Sequence, residues 1–156
     1  MPVLAINGGE KTRTEGWPAW PPDDPGFLEN LGKVIESKVW GVGGEWTRKA
    51  EEMMAEYHDA KFAAACTSGT SAIELTLRAC GVGPGSEVIV PPYTFIATAS
   101  SVVAAGAVPV FVDIDEETFN IDPAKTEEAI TDRTAAIIAV HIGGSPADMD
   151  PIMEIA

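Results

Sequence analysis

The sequence predicts an α/β fold in which a three-layer, mainly parallel sheet carries helices on both faces. From residue 62 onward, short apolar runs alternate with helical patterns, an order typical of strands joined by crossover helices. The runs VIV, VPVFV and AAIIAV are apolar throughout rather than alternating with polar residues. Continuous apolar strands of this kind are buried on both faces, as they are in a parallel sheet.

Residues 1–26 are predicted to form an irregular N-terminal arm. The stretch GGEKTRTEGWPAWPPDDPG is rich in glycine, proline and tryptophan, which favours neither a helix nor a strand. Trp17 and Trp20 are too apolar for a free linker, so we expect them to pack either on the chain's own domain or on a partner subunit.

Residues 27–156 are predicted to form one domain. FLENLGKVIES is expected to be a first helix with Leu28, Leu31, Val34 and Ile35 on one face, and EWTRKAEEMMAEYHDA a second helix. GVGPGS is interpreted as a helix stop and turn before a strand. The predicted strands are FAAAC, VIV, VPVFV and AAIIAV, and the helices that follow them are SAIELTLRAC, TFIATASSVVAAG, PAKTEEAI and DMDPIMEIA.

The chain ends in PIMEIA, an apolar helical pattern without a glycine cap or a polar tail. A sheet that stops one helix after its fourth strand is expected to leave apolar surface exposed. We therefore expect residues 27–156 to be an incomplete domain, and the sequence to be the N-terminal part of a longer protein.

Composition argues against several classes of partner. The net charge is −14 without any basic run, whereas a nucleic-acid-binding surface needs clustered Lys and Arg. No apolar run is long enough to cross a bilayer, and the first residues do not have the pattern of a signal peptide. Cys66 and Cys80 lack a metal-binding spacing and suit a reducing cytoplasm. We expect a cytoplasmic protein that binds no nucleic acid, membrane or metal.

The residues that follow the predicted strands are candidates for a binding site. In open parallel sheets, ligands bind beyond the carboxyl ends of the strands. Thr67–Ser71 follow FAAAC, Pro91–Phe95 follow VIV, Asp113–Asp115 follow VPVFV and His141–Gly144 follow AAIIAV. Small hydroxyls, aromatic rings, carboxylates and an imidazole are therefore expected along one edge of the sheet.

The segment Ser68-Gly69-Thr70-Ser71 has two interpretations. A helix N-terminus attracts anions, Gly69 would let a phosphate approach closely, and Thr70 and Ser71 add hydroxyl donors. The segment lacks the lysine of a Walker loop and is not GxGxxG, so it would hold a single phosphate. Alternatively, Ser71 and Glu74 form a capping box, which requires no ligand.

Other residues at this edge are open to similar alternatives. Tyr93 and Phe95 would either lie against a planar ring or pack in the core. His141 would be either a hydrogen-bonded structural residue or a catalyst. Three acidic residues are predicted to cap or turn the chain, namely Asp113, Asp115 and, before the last helix, Asp148.

The sequence resembles the sugar aminotransferases of the DegT family. The resemblance is carried by CTSGTSAIELTLRACGVGPGSEVIVPPYTFIATASSVVAAGAVPVFVDID, by NIDPAKTEEAITDRTAAIIAVHIGGSPADMDPI and by the upstream WGVGGE, and it spans nearly the whole chain. It implies part of the large domain of a fold type I transferase that depends on pyridoxal 5'-phosphate (PLP). The arm AINGGEKTRTEGWPAWP is most similar to members that act on cyclitols or related amino-sugar precursors.

The resemblance implies roles for four residues of this sequence. Gly69, Thr70 and Ser71 correspond to the cradle of the PLP phosphate, and Phe95 corresponds to the aromatic ring that stacks on the pyridine ring. His141 lies in a recurrent family segment to which no role is assigned.

The resemblance also implies what this sequence lacks. The family's Schiff-base lysine, and the Asp that pairs with the pyridine nitrogen, correspond to positions beyond residue 156, so no catalytic residue is expected within the chain. Lys125 is expected on a surface helix away from the site, and Lys61 at the wrong end of a strand. We therefore expect the chain by itself to be inactive.

The implied activity is the transfer of an amino group from glutamate or glutamine to a keto-sugar or keto-cyclitol, by a protein that is a homodimer at full length. Two alternatives stay open. One is a sugar dehydratase of the same family that depends on pyridoxamine 5'-phosphate (PMP), in which His replaces the lysine. The other is a non-catalytic phosphate-binding module.

Overall fold

The computed structural model describes residues 3–22, 24–41 and 43–156. The chain divides into two compact units, residues 1–65 and 66–156. The first unit contains helices α1 (Gly26–Ser37) and α2 (Glu45–Tyr57). The second contains strands β1 (Glu87–Val90), β2 (Val108–Phe111) and β3 (Thr134–Ile137), with helices α3 (Gly69–Ala79), α4 (Ala97–Ala104), α5 (Pro123–Glu128) and α6 (Met149–Ile155). Short 3-10 turns occur at Ala5–Asn7 and Ile142–Gly144.

The sheet is parallel and has the strand order β2-β1-β3. Val88 on the central strand lies opposite Pro109 on β2 and Ala136 on β3. Helix α4 joins β1 to β2, and α5 joins β2 to β3. The connection through α4 moves the chain from the central strand to one edge, and the connection through α5 moves it back across the sheet to the other edge. Because the two helices lie on opposite faces of the sheet, both crossovers have the same hand, as expected for parallel strands.

Two apolar clusters make the three layers. Val88 and Val90 pack with residues of α3 and α4, such as Leu77 and Val102, on one face of the sheet. Ile89 faces the other way and packs with residues around α5 and α6, including Ile152. All four residues of β1 are buried, which explains why this strand has no polar alternation.

The structure corrects one predicted strand. The segment FAAAC, residues 62–66, belongs to no strand, because none of the described residues pairs with it. Phe62 is exposed. The other predicted strands and all six predicted helices are present, although α4 begins at Ala97, so Tyr93 and Phe95 stay in the preceding loop.

The first unit has little apolar core. Neither α1 nor α2 has a buried residue, and the predicted apolar face of α1 is exposed at Leu28, Leu31 and Ile35 and half-buried at Val34. The two arm tryptophans, Trp17 and Trp20, are 83% and 90% exposed, so they do not pack on the chain's own core. Within the arm, the Arg13 guanidinium lies 4.3 Å from the centre of the Trp17 ring and donates to two neighbouring carbonyls.

Candidate functional site

Helices α3 and α4 lie side by side and begin at the same edge of the sheet. At the start of α3, the carbonyl oxygen of Thr70 accepts a hydrogen bond at 3.0 Å from the buried Ser101 hydroxyl in the middle of α4. Near the C-termini of both helices, the Arg78 guanidinium donates to the carbonyl oxygen of Ala104 at 2.6 Å. Since α4 starts just beyond the carboxyl end of β1, the first turn of α3 also lies at that end.

The N-cap of α3 is Ser68, not Ser71 as the capping-box interpretation predicted. Ser68 has an extended backbone, and its hydroxyl oxygen accepts a hydrogen bond from the Ser71 N–H at 3.2 Å. Glu74 does not reach back to the helix start and instead pairs with Arg78 at 3.0 Å. The true cap lies three residues earlier because Gly69, Thr70 and Ser71 already have helical backbone conformations.

The first turn of α3 leaves hydrogen-bond donors and open space. None of the described residues accepts a hydrogen bond from the N–H groups of Gly69 or Thr70, as expected at a helix start. A Cβ atom built on Gly69 would meet nothing within 4 Å, so the protein's own packing does not require glycine there. Thr67, Ser68 and Ser71 form a hydroxyl cluster with oxygens 3.2 Å apart. This set of donors fits one phosphate group.

Phe95 lies in the loop between β1 and α4 and is 76% exposed, so it is not a core residue. Its backbone carbonyl accepts a hydrogen bond from the Thr98 N–H at 3.0 Å, and the Thr94 and Thr98 hydroxyls are 2.9 Å apart. Tyr93 is also exposed, with its ring centre 6.0 Å from that of Phe119. Neither aromatic residue is therefore explained by packing in the core.

His141 follows β3 and has a structural hydrogen bond. Its Nδ1 accepts from the buried Ala147 N–H at 2.9 Å. In the neutral imidazole the proton is therefore on Nε2. The structure thus shows the hydrogen bond expected of a structural His141, and the catalytic alternative stays a prediction.

Asn120 is a positioning residue that sequence reasoning missed. Its buried side chain donates to the carbonyl oxygens of Ser145 and Pro146, at 3.3 and 3.2 Å, and accepts from the Ile142 N–H at 3.2 Å. All of the partners are in the loop after β3, so Asn120 holds that loop against the loop after β2. The only signal in the sequence is a polar residue beside the apolar Ile121, which does not predict the distant partner.

The acidic residues after β2 turn the chain, as predicted. One oxygen of Asp115 accepts from the N–H of Thr118 at 2.8 Å, from its hydroxyl and from the Glu117 N–H. These hydrogen bonds hold the pKa of Asp115 below its usual value, and the bond from the Thr118 N–H contributes most. Asp113 accepts from the Ile114 N–H.

Expectations for three other residues were met only in part. The expected position of Asp148 is confirmed, because Asp148 is the N-cap residue of α6, but its side chain makes no capping hydrogen bond. Lys125 lies with Asp113 and Asp115 around one shallow hollow at the carboxyl edge of the sheet, not away from that edge. The reason is that Lys125 is in the first turn of α5, on the sheet face opposite α3 and α4. Lys61 precedes a segment that is not a strand.

Two general features of the described residues bear on ligands. They include no group of three or more His, Cys, Asp or Glu side chains placed to hold a metal ion. No helix among them combines the length and the apolar character needed to span a membrane.

Known proteins resemble this chain in sequence and in fold. L-glutamine:2-deoxy-scyllo-inosose aminotransferase of Micromonospora echinospora is 43% identical over all of this chain and 39% of its own length. An aminotransferase structure from Psychrobacter cryohalolentis is 42% identical, with a TM-score of 0.82 over 90% of this chain and 36% of that one. NtdA of Bacillus subtilis, solved with bound cofactor PMP, is 41% identical, with a TM-score of 0.79 over 83% of this chain and 29% of that one.

These comparisons confirm the predicted fold class, a three-layer α/β architecture of fold type I. The chain spans about two fifths of the length of the curated relatives that it matches, 39% in the case above. The roles assigned to Gly69, Thr70, Ser71 and Phe95 stay predictions. A sequence model of the DegT/DnrJ/EryC1/StrS aminotransferase family matches residues 22–156, so the chain belongs to that family.

Proposed function

We propose that this chain is the part of a PLP-dependent aminotransferase that binds the cofactor phosphate. The observation that carries this proposal is the open first turn of α3, with Gly69 and Thr70, at the same edge of the sheet as an exposed Phe95. Similarity along the entire chain to a glutamine-dependent cyclitol aminotransferase supports it, as does a related structure that holds PMP.

Gly69, Thr70 and Ser71 would hold the phosphate. The free N–H groups at the helix start carry a partial positive charge, which favours an anion without any lysine or arginine. The Thr70 hydroxyl would add a donor. Gly69 leaves the space that the phosphate oxygens need to reach the backbone.

Phe95 would orient the cofactor ring. An exposed phenyl ring offers a flat apolar surface, and offset stacking on an aromatic ring is favourable. When bound, PLP supplies the aldehyde carbon and the electron-withdrawing ring that amino-group transfer requires. In this chain, Phe95 and the first turn of α3 would bind and orient that group, while the proton-transferring lysine would come from another segment of the intact protein.

The remaining parts of the proposal concern the intact protein. We infer that the amino donor is glutamine or glutamate and the acceptor a keto-cyclitol or keto-sugar, because the relative above is named for glutamine and 2-deoxy-scyllo-inosose. We also infer a cytoplasmic homodimer, in which the exposed Trp17 and Trp20 would be covered by the partner subunit.

The proposed phosphate site at Gly69, Thr70 and Ser71, called the phosphate seat below, can be tested with two ligands that differ only in the phosphate. PMP and pyridoxamine form no aldimine with surface lysines, so equilibrium dialysis of each against the chain reports non-covalent binding. We expect PMP to bind more tightly than pyridoxamine. Equal binding of the two ligands, or no binding of either, would contradict the phosphate seat.

The reaction can be tested by reading the coding sequence downstream of Ala156. An in-frame continuation containing an Asp after a strand and then a Lys would support the aminotransferase. A His at the lysine position would favour the PMP-dependent dehydratase instead. A stop codon directly after Ala156 would contradict both and favour a non-catalytic phosphate-binding module.

A further inference from the structure

Ser101 makes an unusual hydrogen bond for a buried serine in a helix. A hydroxyl in this position ordinarily bonds to a carbonyl one turn earlier in its own helix. Thr126, which is equally buried in α5, does so by donating to the Asp122 carbonyl at 2.8 Å. Ser101 instead donates to the Thr70 carbonyl in the neighbouring helix.

The acceptor of this bond belongs to the predicted phosphate seat. The Thr70 carbonyl and the Ser71 N–H are parts of one planar peptide group. That N–H is held by the Ser68 cap at 3.2 Å. Ser101 on one side and Ser68 on the other therefore fix this peptide plane, and with it the direction of the free N–H groups of Gly69 and Thr70.

Ser101 also links the seat to the candidate stacking residue. It lies in α4, whose start is joined to the preceding loop by the hydrogen bond from the Thr98 N–H to the Phe95 carbonyl. One helix thus contacts both Phe95 and the first turn of α3. The site of a ligand that touches both would be set by how α4 meets α3.

We propose that Ser101 is a positioning residue for the cofactor phosphate, acting through the Thr70–Ser71 peptide rather than by touching the cofactor. This proposal rests on the phosphate seat proposed above. Its consequence is specific. Loss of the Ser101 hydroxyl lowers affinity for the phosphorylated ligand more than affinity for the unphosphorylated one.

The test compares Ser101→Ala with the wild-type chain by equilibrium dialysis of PMP and of pyridoxamine. The readout is the ratio of the two affinities, which general destabilisation does not change among folded molecules. We expect the ratio to fall about two- to ten-fold, the usual range for the loss of one buried hydrogen bond. Thr126→Val is the matched control, because it removes an equally buried hydroxyl on the other face of the sheet and is expected to keep the ratio.

The outcomes separate this inference from the phosphate seat. If the wild-type chain prefers PMP and Ser101→Ala has the same preference, the positioning role is wrong and the seat stands. The positioning role is also wrong if Thr126→Val lowers the ratio as much as Ser101→Ala does. If the wild-type chain shows no preference for PMP, both proposals are wrong. Far-ultraviolet circular dichroism checks folding, and Ser101→Cys, which keeps a side chain but donates weakly, replaces an alanine variant that does not fold.

Discussion

The two ends of the parallel sheet differ in how their polar groups are used. At the amino end, the buried Glu87 carboxylate accepts hydrogen bonds from the Thr131 hydroxyl at 2.6 Å and from Arg133 Nε at 2.9 Å. The Glu87 N–H also donates to the Arg133 carbonyl at 2.8 Å. At the carboxyl end, the first N–H groups of α3 and the ring of Phe95 have no such partners among the described residues.

This difference indicates a division of labour along one set of strands. The amino end satisfies its charges internally and contributes to stability. The carboxyl end leaves donors and apolar surface for a ligand, as is general for open α/β sheets. Substitution of Glu87 at the amino end should therefore change stability alone, and substitutions of Phe95 and Thr70 at the carboxyl end should change binding alone.

The largest loss of stability is expected from a substitution in the middle of β1, the strand that runs between the two ends. Ile89 is fully buried at the middle of β1. Ile89→Ala should lower the free energy of unfolding by about 2–5 kcal/mol, because it removes apolar contacts and leaves a cavity. Urea denaturation followed by circular dichroism measures it. Ile6→Ala, at an 89% exposed position, is the matched control and should stay within about 0.5 kcal/mol of wild type. An equally small change at Ile89 would contradict the central place of β1.

Phe95→Ala tests the carboxyl end through the ring of the ligand. Both PMP and pyridoxamine have that ring, so both should bind more weakly, by about 0.5–1.5 kcal/mol, with their affinity ratio preserved. Equilibrium dialysis provides the affinities. Stability should be unchanged within about 0.5 kcal/mol, because the side chain is exposed. A large loss of stability would mean that Phe95 is a packing residue after all.

Thr70→Val tests the same end through the phosphate. The substitution keeps the shape of the side chain and removes its hydroxyl, so PMP should lose about 0.5–1.5 kcal/mol of binding free energy while pyridoxamine binding is retained. The same dialysis experiment measures both. A parallel loss for the two ligands would place Thr70 near the ring, or show that the helix start has been disturbed.

Glu87→Gln tests the amino end and should give the smallest effect, because Arg133 is largely exposed to solvent. Hydrogen bonds from Thr131 and then Arg133 hold the pKa of Glu87 below its ordinary value of 4.5. The ionised group thus stabilises the fold above that value, and this contribution is lost as the pH falls through the lowered pKa.

The expected result is a lower melting temperature for Glu87→Gln at neutral pH and a smaller difference from wild type as the pH falls below about 4.5. Thermal denaturation across this range measures it. The PMP-to-pyridoxamine ratio should be that of the wild-type chain. A changed ratio would break the proposed separation between the two ends.

Much of the second unit could be predicted from its sequence. The three strands of the sheet are short, mostly apolar and bounded by turns, so a local pattern predicts them. The predicted burial on both faces is confirmed for β1 alone, because β2 and β3 lie at the edges of the three-stranded sheet and have no fully buried residue. FAAAC has the same pattern and is not a strand. Pairing is a property of two segments, and apolar composition in one of them does not supply the other.

The polar contacts of the site could be predicted only in part. A run of small hydroxyl residues before a helix indicates a cap, but Ser68 and Ser71 are equally good candidates by residue type, and the backbone conformation decided between them. The bonds from Ser101 to Thr70 and from Asn120 to the loop after β3 join residues distant in sequence. Nothing in the local pattern around Ser101 or Asn120 indicates these partners.

The strand order β2-β1-β3 has a consequence for the protein during its synthesis. The central strand is the first of the three to leave the ribosome, and both of its neighbours follow it. Its second partner is completed about 50 residues later, which at typical elongation rates takes roughly 2.5–10 s. For that interval the segment Glu87–Val90 has at least one unpaired edge. The growing chain therefore passes through a stage in which it exposes an apolar strand edge that a chaperone can bind.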